Sequence, residues 1–274
     1  GWEIGPSLLL MAGLAYDWLE IPSNFRTVPL TQGSDTTDLV QPKLGIQWKP
    51  APSTTVRGAF TRSLTGVSLD QSLRLEPVQV AGFTQAYRGL FPESITGSVS
   101  GQHLETLGFG VEQRIGSWLF LSVSYERFCS EASRNMGAVR WLWDASGDLT
   151  PIDSFATQNL VMEEQVFSAT AAALIGRDFS VSLTYRLANN CLEGSYTGSE
   201  NLPPTSGDGQ LQQVRLSWHF HHPSGAEAQW ETRWTGQQVA QGYGWGSEDA
   251  FWQHDVGVGW WFLRRRLNVA ARIL

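Results

Sequence analysis

Five short turns, each beside Trp or Phe, constrain the fold of this chain more than any other feature. The turns are residues 49–53, 115–117, 176–178, 222–225 and 264–266. Trp and Tyr favour the headgroup layer of a membrane, and every strand of a transmembrane β-barrel crosses that layer at one height. The pattern therefore predicts one aromatic girdle, formed by Trp48, Trp118, Phe120, Phe179, Trp218, Phe220, Trp260 and Phe262.

Apolar and polar residues alternate with period two between these turns. In residues 179–187, Phe179 and Leu183 share one parity, whereas Ser180 and Arg186 share the other. This alternation predicts strands with one apolar and one polar face. A soluble two-sheet sandwich would give the same alternation, so periodicity alone does not place the apolar face in lipid.

Long connections alternate with the short turns. They are residues 19–41, 65–102, 130–158, 189–209 and 240–249. Outer-membrane barrels combine short periplasmic turns with long extracellular loops in this way. The alternating segment 136–143 is assigned to an extracellular loop, as an extra strand or half-hairpin.

These patterns predict an all-β fold, an antiparallel transmembrane β-barrel of about 11–14 strands in the bacterial outer membrane. Residues 1–274 are expected to form this barrel as a single domain. The segments add up to about eleven crossings, whereas bacterial single-chain barrels normally have an even number. The odd number predicts an incomplete fragment of a larger barrel.

Composition agrees with this prediction and excludes two other classes. Charged residues make up 16% of the chain, compared with about 25% in soluble domains, and the chain contains 13 Trp. No stretch reaches about 18 consecutive apolar residues, which excludes a helical membrane span. The net charge of −7 argues against nucleic acid as a partner.

Polar residues alternate with apolar ones in the predicted strands, and these polar residues are the candidates for lining the lumen. Both charge signs occur among them, so strong ion selectivity is not expected. The predicted lumen-lining residues are Lys43, Gln47, Arg57, Thr61, Glu112, Glu126, Arg186, Gln213, Arg215, Glu227, Glu231, Arg233 and Asp255.

The long extracellular loop 65–102 contains a pattern typical of a short helix at residues 77–90. Val80, Phe83 and Tyr87 recur there at spacings of three and four, after a Glu-Pro helix start. The segment either packs on other extracellular loops or folds into the barrel mouth, where these three residues would form a constriction.

Motifs that carry catalytic chemistry are absent from the sequence, and we predict no enzyme, metal site or cofactor. Glu227 and Glu231 share one strand face but would lie roughly 13 Å apart, too far for paired-carboxylate hydrolysis. Cys129 and Cys191 both stand toward the loops, where an oxidising compartment would allow a disulfide. The sequence leaves that disulfide open.

Four segments carry a resemblance to a known family. Residues 57–64, residues 71–85 and the pair of segments 251–254 and 264–266 resemble the C-terminal barrel of bacterial tetratricopeptide-repeat outer-membrane proteins. Those barrels are in turn similar to the barrel of TonB-dependent receptors. The resemblance implies a periplasmic repeat domain before the barrel and further strands after it.

Two functions fit these observations, and a third is retained. The barrel is either a conduit for a polar solute, for which export porins suggest a polysaccharide, or a structural anchor for a periplasmic repeat domain, a partner subunit or a surface layer. Lipid and lipopolysaccharide are its expected surroundings. The third candidate is a soluble carbohydrate-binding sandwich with tryptophan platforms.

Overall fold

The computed structural model describes residues 1–23, 28, 30, 32–64, 79–84, 101–144, 146–198, 204–239, 247–262 and 267–273. Strands account for nearly all of these residues. They are β1 (Trp2–Glu3), β2 (Leu8–Pro22), β3 (Ser34–Ala51), β4 (Thr54–Leu64), β5 (Gln79–Val80), β6 (Phe83–Thr84), β7 (His103–Ile115), β8 (Leu119–Trp143), β9 (Leu149–Ile175), β10 (Phe179–Thr197), β11 (Thr205–His221), β12 (Ala226–Val239), β13 (Ser247–Phe262) and β14 (Leu267–Ile273). In these ranges, no helix is long and apolar enough to cross a membrane.

Twelve of the strands form one sheet, and β5 and β6 form a separate hairpin. The sheet follows chain order from β1 to β14, and each neighbouring pair is antiparallel. The predicted all-β, antiparallel architecture is confirmed. Among the described residues, β14 pairs with β13 alone, and the sheet is not closed on itself.

The strand register gives this sheet two chemically different faces. One row across β3, β4 and β7–β13 contains Gln47, Arg57, Gly110, Ser124, Ser168, Arg186, Gln213, Thr235 and Phe251. The next row contains Trp48, Val56, Val111, Val123, Ala169, Tyr185, Val214, Trp234 and Trp252. We call the face of the first row the polar face and that of the second row the apolar face.

The polar face is the more buried one. Lys43, Thr106 and Glu164 lie on it and are at most 8% exposed. Large side chains of the apolar face, such as Leu44, Phe109 and Leu183, are instead about half exposed. A water-soluble sheet buries its apolar side, so this arrangement is inverted relative to a soluble fold.

The strands extend much further beyond the short turns than the sequence predicts. β8 continues to Trp143 and pairs with β9 from Leu149 onward, so segment 136–143 is the outer part of a long hairpin. The predicted loops 19–41, 130–158 and 189–209 are therefore too long. The error arises because polar residues above a membrane still pair in a ladder, although their composition is typical of a loop.

The predicted helix at 77–90 is wrong over its described part. Residues 79–84 form the hairpin of β5 and β6, with Gln79 opposite Thr84 and Val80 opposite Phe83. Ala81 and Gly82 have φ of 50° and 87°, as a two-residue hairpin turn with two left-handed positions requires. The remainder of the predicted helix lies outside the described residues.

Candidate functional site

The hairpin of β5 and β6 packs against the polar face of the sheet. Val80, Ala81 and Phe83 are at most 8% exposed and form an apolar cluster with Ala59 of β4, against which Met11 of β2 also packs. Two of the predicted constriction residues, Val80 and Phe83, thus lie on the face that carries the predicted lumen residues. The third, Tyr87, lies outside the described residues.

Glycines of the sheet make room for the hairpin. A Cβ at Gly45 would lie 2.7 Å from Cγ1 of Val80, and a Cβ at Gly108 would overlap the ring of Phe83. Gly45 and Gly108 both belong to the polar face, on β3 and β7. Side chains at these two positions would exclude the hairpin, so its packing against the sheet requires glycine at both. We call these two positions the glycine seat of the hairpin.

Arg57 joins the hairpin to the wall of the sheet. Its Nη2 donates a hydrogen bond to Oε1 of Glu112 at 2.6 Å, and its Nη1 donates to the carbonyl oxygen of Ala81 at 3.5 Å. The guanidinium carbon lies 5.7 Å from the centroid of the Phe83 ring, a cation–π distance. One side chain therefore contacts the β7 carboxylate, the hairpin backbone and the hairpin aromatic ring.

A second apolar cluster covers the loop-side half of the polar face on β7–β10. It contains Leu104, Phe128, Ala132, Leu160, Met162 and Leu192. Beside it, Asn190 donates a hydrogen bond of 3.0 Å to the buried carboxylate of Glu164. The sequence prediction missed this cluster because it assigned every residue of the polar face to a hydrated lumen.

The register places all thirteen predicted lumen residues on the polar face. Lys43, Arg57 and Thr61 lie near the hairpin, on β3 and β4. Arg186, Gln213, Arg215, Glu227, Glu231, Arg233 and Asp255 lie together on β10–β13, which we call the arginine wall.

Carboxylates on the arginine wall have partners. Glu231 accepts a hydrogen bond from Arg233 at 2.9 Å and another from the hydroxyl of Ser217 at 3.3 Å. Asp255 forms a two-point ion pair with Arg272 of β14, at 2.8 and 2.6 Å. Glu227 accepts a hydrogen bond of 2.7 Å from the indole of Trp261.

The predicted girdle residues fall into two groups. Six of them lie on the apolar face near the short turns: Trp48, Phe179, Trp218, Phe220, Trp260 and Phe262. The ring centroid of Phe179 lies 5.8 Å from that of Trp218 and 4.8 Å from that of Phe220, so these three rings contact one another.

The other two girdle residues do not belong to the apolar face of a strand. Phe120 pairs with Arg114 and shares the parity of Ser124, so its assignment to the girdle is wrong. Trp118 lies in the turn before β8 and is exposed. Trp118 ends this short turn and Phe120 follows it on β8; the sequence pattern places the turn but does not specify the register of the strands beside it.

The apolar face changes character at a defined level along each strand. On β10 it is apolar from Phe179 to Leu187 and polar from Asn189 onward. A transmembrane β-strand needs about 9–11 residues, which matches this apolar span. The polar residues above it include Arg127 and Glu163, whose ion pair has contacts of 2.9 and 2.6 Å.

Two groups beyond the apolar span have shifted pKa values, Glu163 of that ion pair and Cys191. The hydrogen bond from Arg127 lowers the pKa of the Glu163 carboxyl to about 2, and a bond from Gln165 adds to the shift. Burial and a hydrogen bond with Asp208 raise the pKa of the Cys191 thiol to about 11. Cys129 and Cys191 are both free thiols, because Glu163 on β9 stands between them.

Comparisons with known proteins give likenesses to solved structures but no match to a family model or a curated protein. Among solved structures, the chain is similar to a Pseudomonas aeruginosa FadL homologue, with a TM-score of 0.33 and 9% sequence identity. The alignment covers 93% of this chain and 68% of that chain. The resemblance to tetratricopeptide-repeat proteins thus stays a prediction from the sequence.

Proposed function

We propose that this chain is an outer-membrane β-barrel whose polar face lines a conduit for a polar solute. The observation that carries the proposal is the inverted amphipathicity of the sheet. Charged and hydroxyl side chains occupy its more buried face, while Trp, Leu and Val are exposed on the other face. Lipid and lipopolysaccharide would cover the exposed apolar face, and water and solute would contact the polar one.

The span of the apolar face supports a membrane location. On β9 the apolar residues run from Phe167 to Ile175, and on β10 the paired residues run from Leu187 to Phe179. Both stretches end at the same register level, where Gln165 faces Asn189. A flat apolar boundary shared by neighbouring strands fits a hydrocarbon layer better than the rounded core of a soluble sandwich.

The second candidate is a structural anchor that does not conduct. It is favoured by the dry packing of the hairpin and of the Phe128 cluster on the polar face. In that case the barrel would hold a periplasmic repeat domain, or would present its loops to another subunit. A polysaccharide cargo derives from the analogy with export porins, and the repeat domain derives from the family resemblance.

Single-channel recording separates the two candidates. The purified chain is inserted into planar lipid bilayers, and its current is compared with that of a variant in which residues 79–84 are replaced by a Gly-Ser linker. A conduit constricted by the hairpin gives a current that rises in the variant. Silent bilayers with both proteins, despite confirmed insertion, reject the conduit and leave the anchor.

A further inference from the structure

Three arginines stand next to one another on the arginine wall, one on each of three adjacent strands. Arg215 of β11 lies directly opposite Arg233 of β12. Arg186 of β10 lies opposite Gln213, and Thr184 lies opposite Arg215, so Arg186 and Arg215 are diagonal neighbours. Opposite residues have Cβ atoms about 5 Å apart, and diagonal neighbours are about 7 Å apart, so the three guanidinium groups can reach one ligand.

Two of these arginines have no partner within the described part of the chain. Among the described residues, neither Arg186 nor Arg215 makes a hydrogen bond or an ion pair, whereas Arg233 is paired with Glu231. Other carboxylates of the wall are engaged elsewhere, Asp255 by Arg272 and Glu227 by Trp261. Glu126 of β8, the acidic residue toward the hairpin, has a contact of its own. With Arg272 of β14 included, the wall has four arginines and three carboxylates, and the two arginines without partners in the described structure, Arg186 and Arg215, lie side by side on β10 and β11.

Repulsion among the guanidinium groups of the three arginines is unfavourable unless a bound anion offsets it. Like charges that lie directly opposite on neighbouring strands destabilise a sheet, and Arg215 and Arg233 have that relationship. Guanidinium groups form bidentate hydrogen bonds with carboxylate and phosphate, and these bonds are strong because both partners are charged. Rings and rows of Arg inside a pore select anions by the same chemistry.

Neutral hydrogen-bond donors lie beside the three arginines. The hydroxyls of Thr184 and Thr235 and the amide of Gln213 share the polar face with the three arginines. The Gln213 amide lies 3.5 Å from the hydroxyl of Thr235. Arg215 is exposed and Arg186 and Arg233 are partly exposed, in contrast to the buried residues of the polar face on β7–β9, so solvent can reach all three arginines.

We propose that Arg186, Arg215 and Arg233 form an anion-binding track for solutes that carry carboxylate or phosphate groups. The proposal rests on the conduit function for its physiological role, and it specifies the substrate class. An anionic group enters between Arg186 and Arg215, the two arginines without partners, and passes to Arg233 along the row. Glu231 holds Arg233 in place and limits the affinity, which a transport path requires.

Binding of inorganic phosphate to the detergent-solubilised full chain tests the track without requiring an open pore. We expect calorimetry to detect phosphate binding to the wild type, and binding about tenfold or more weaker in the double variant R186Q/R215Q. The variant R186K/R215K keeps both charges but loses the fork geometry, so its affinity should fall between the two. Acetate in place of phosphate distinguishes a general anion site from one that favours phosphate.

Arg272→Gln is the matched control. It removes one positive charge from the same face but from a guanidinium that already has a carboxylate partner. If R272Q weakens phosphate binding as much as R186Q/R215Q does, the effect comes from net charge and the proposal is overturned. Absent or equal binding in wild type and double variant also overturns it. Circular dichroism and thermal unfolding confirm that each variant is folded.

Reversal potentials in a KCl gradient connect the track to the conduit. The wild type should prefer chloride over potassium, and the ratio should fall about threefold or more in R186Q/R215Q. If the protein conducts and the ratio is unchanged, the arginines lie off the path and the proposal is overturned. If the protein binds phosphate through these arginines but does not conduct, the anion site stands and the conduit function fails.

Discussion

Nη2 of Arg57 lies 2.6 Å from Oε1 of Glu112, so this ion pair links β4 to β7 on the face where the hairpin is seated. The same guanidinium also contacts the Ala81 carbonyl oxygen and the ring of Phe83. The Arg57 side chain thus joins the sheet at β4 and β7 to the hairpin. Its removal should release the hairpin without removing any apolar contact of the cluster.

Arg57→Ala should therefore loosen residues 79–84. The loss of charge-assisted contacts to a partly buried pair should cost about 1–3 kcal/mol of unfolding free energy, and proteolysis within residues 79–84 should become faster. Limited proteolysis followed by mass spectrometry measures this. Arg62→Ala is the control, because Arg62 pairs with Glu105 at 2.7 Å away from the hairpin. Equal cleavage of both variants would contradict the role of Arg57.

The glycine seat of the hairpin gives a second prediction. In Gly45→Val, the new side chain collides with Val80 and comes within 3.1 Å of Met11, so the hairpin must shift. We expect a loss of about 1–3 kcal/mol, as for other overpacked sites. Gly13→Val is the matched control on β2, because its Cβ meets only the Cβ of Lys43, at an ordinary 3.7 Å. Chemical denaturation in detergent compares the two, and similar losses would argue against a tightly seated hairpin.

The two faces of β10 should respond differently to a new charge. Leu183 is 48% exposed on the apolar face, and Ser182 lies beside it on the polar face. Leu183→Arg should cost about 2–4 kcal/mol in a bilayer if the apolar face contacts lipid, and Ser182→Arg should cost less. Unfolding from lipid vesicles in denaturant measures both. A larger loss for Ser182→Arg would contradict the assignment of lipid to the apolar face.

How much of this arrangement the sequence could predict depends on whether the feature is periodic. The alternation of Leu183 with Ser182 and Arg186 is a property of neighbouring residues, and every residue that it predicts to line the lumen lies on the polar face of the sheet. The opposition of Arg215 and Arg233 depends on a register between strands, which the spacing of turns only approximates. The pairing of β11 with β12 in the structure is what places these two arginines opposite each other.

The hairpin illustrates a different limit. Val80 and Phe83 have helical spacing, and the sequence favoured a helix there. The Ala81-Gly82 turn instead places both side chains on one side of a hairpin, because cross-strand partners also lie three residues apart. The local pattern could not separate the two structures, whereas the glycine seat across β3 and β7 favours the hairpin.

The Arg127–Glu163 pair should make stability depend on acid pH. The pKa of Glu163 falls from 4.5 to about 2 in the folded chain, so the folded state binds this proton less well than the unfolded state does. Its contribution is present above pH 4.5 and is lost as the pH falls through about 2. Because both side chains are partly exposed, the effect on the free energy of unfolding should be modest, about 1 kcal/mol.

Glu163→Gln should remove this acid-dependent component, so its melting temperature should change less between pH 5 and pH 2.5 than that of the wild type. Glu131→Gln is a suitable control, because in the described structure the Glu131 side chain has no hydrogen bond or ion pair. Thermal unfolding in detergent across that range measures the difference. Identical pH profiles for Glu163→Gln and the wild type would contradict a stabilising ion pair.

The two cysteines should remain unbonded thiols under oxidising conditions. Cys129 and Cys191 both pair with Glu163, from opposite sides of β9, which places their Cα atoms about 10 Å apart, beyond the reach of a disulfide.

The pKa of the Cys191 thiol is raised from 9.0 to about 11 by burial and by Asp208. In the single-cysteine variant Cys129→Ser, alkylation at pH 8 should be about 100-fold slower for folded than for unfolded protein, because the thiolate is the reactive form. Asp208→Asn should recover part of that rate. Mass spectrometry after timed iodoacetamide treatment gives the rates, and a Cys129–Cys191 disulfide in non-reduced wild-type peptides would contradict the register of β8, β9 and β10.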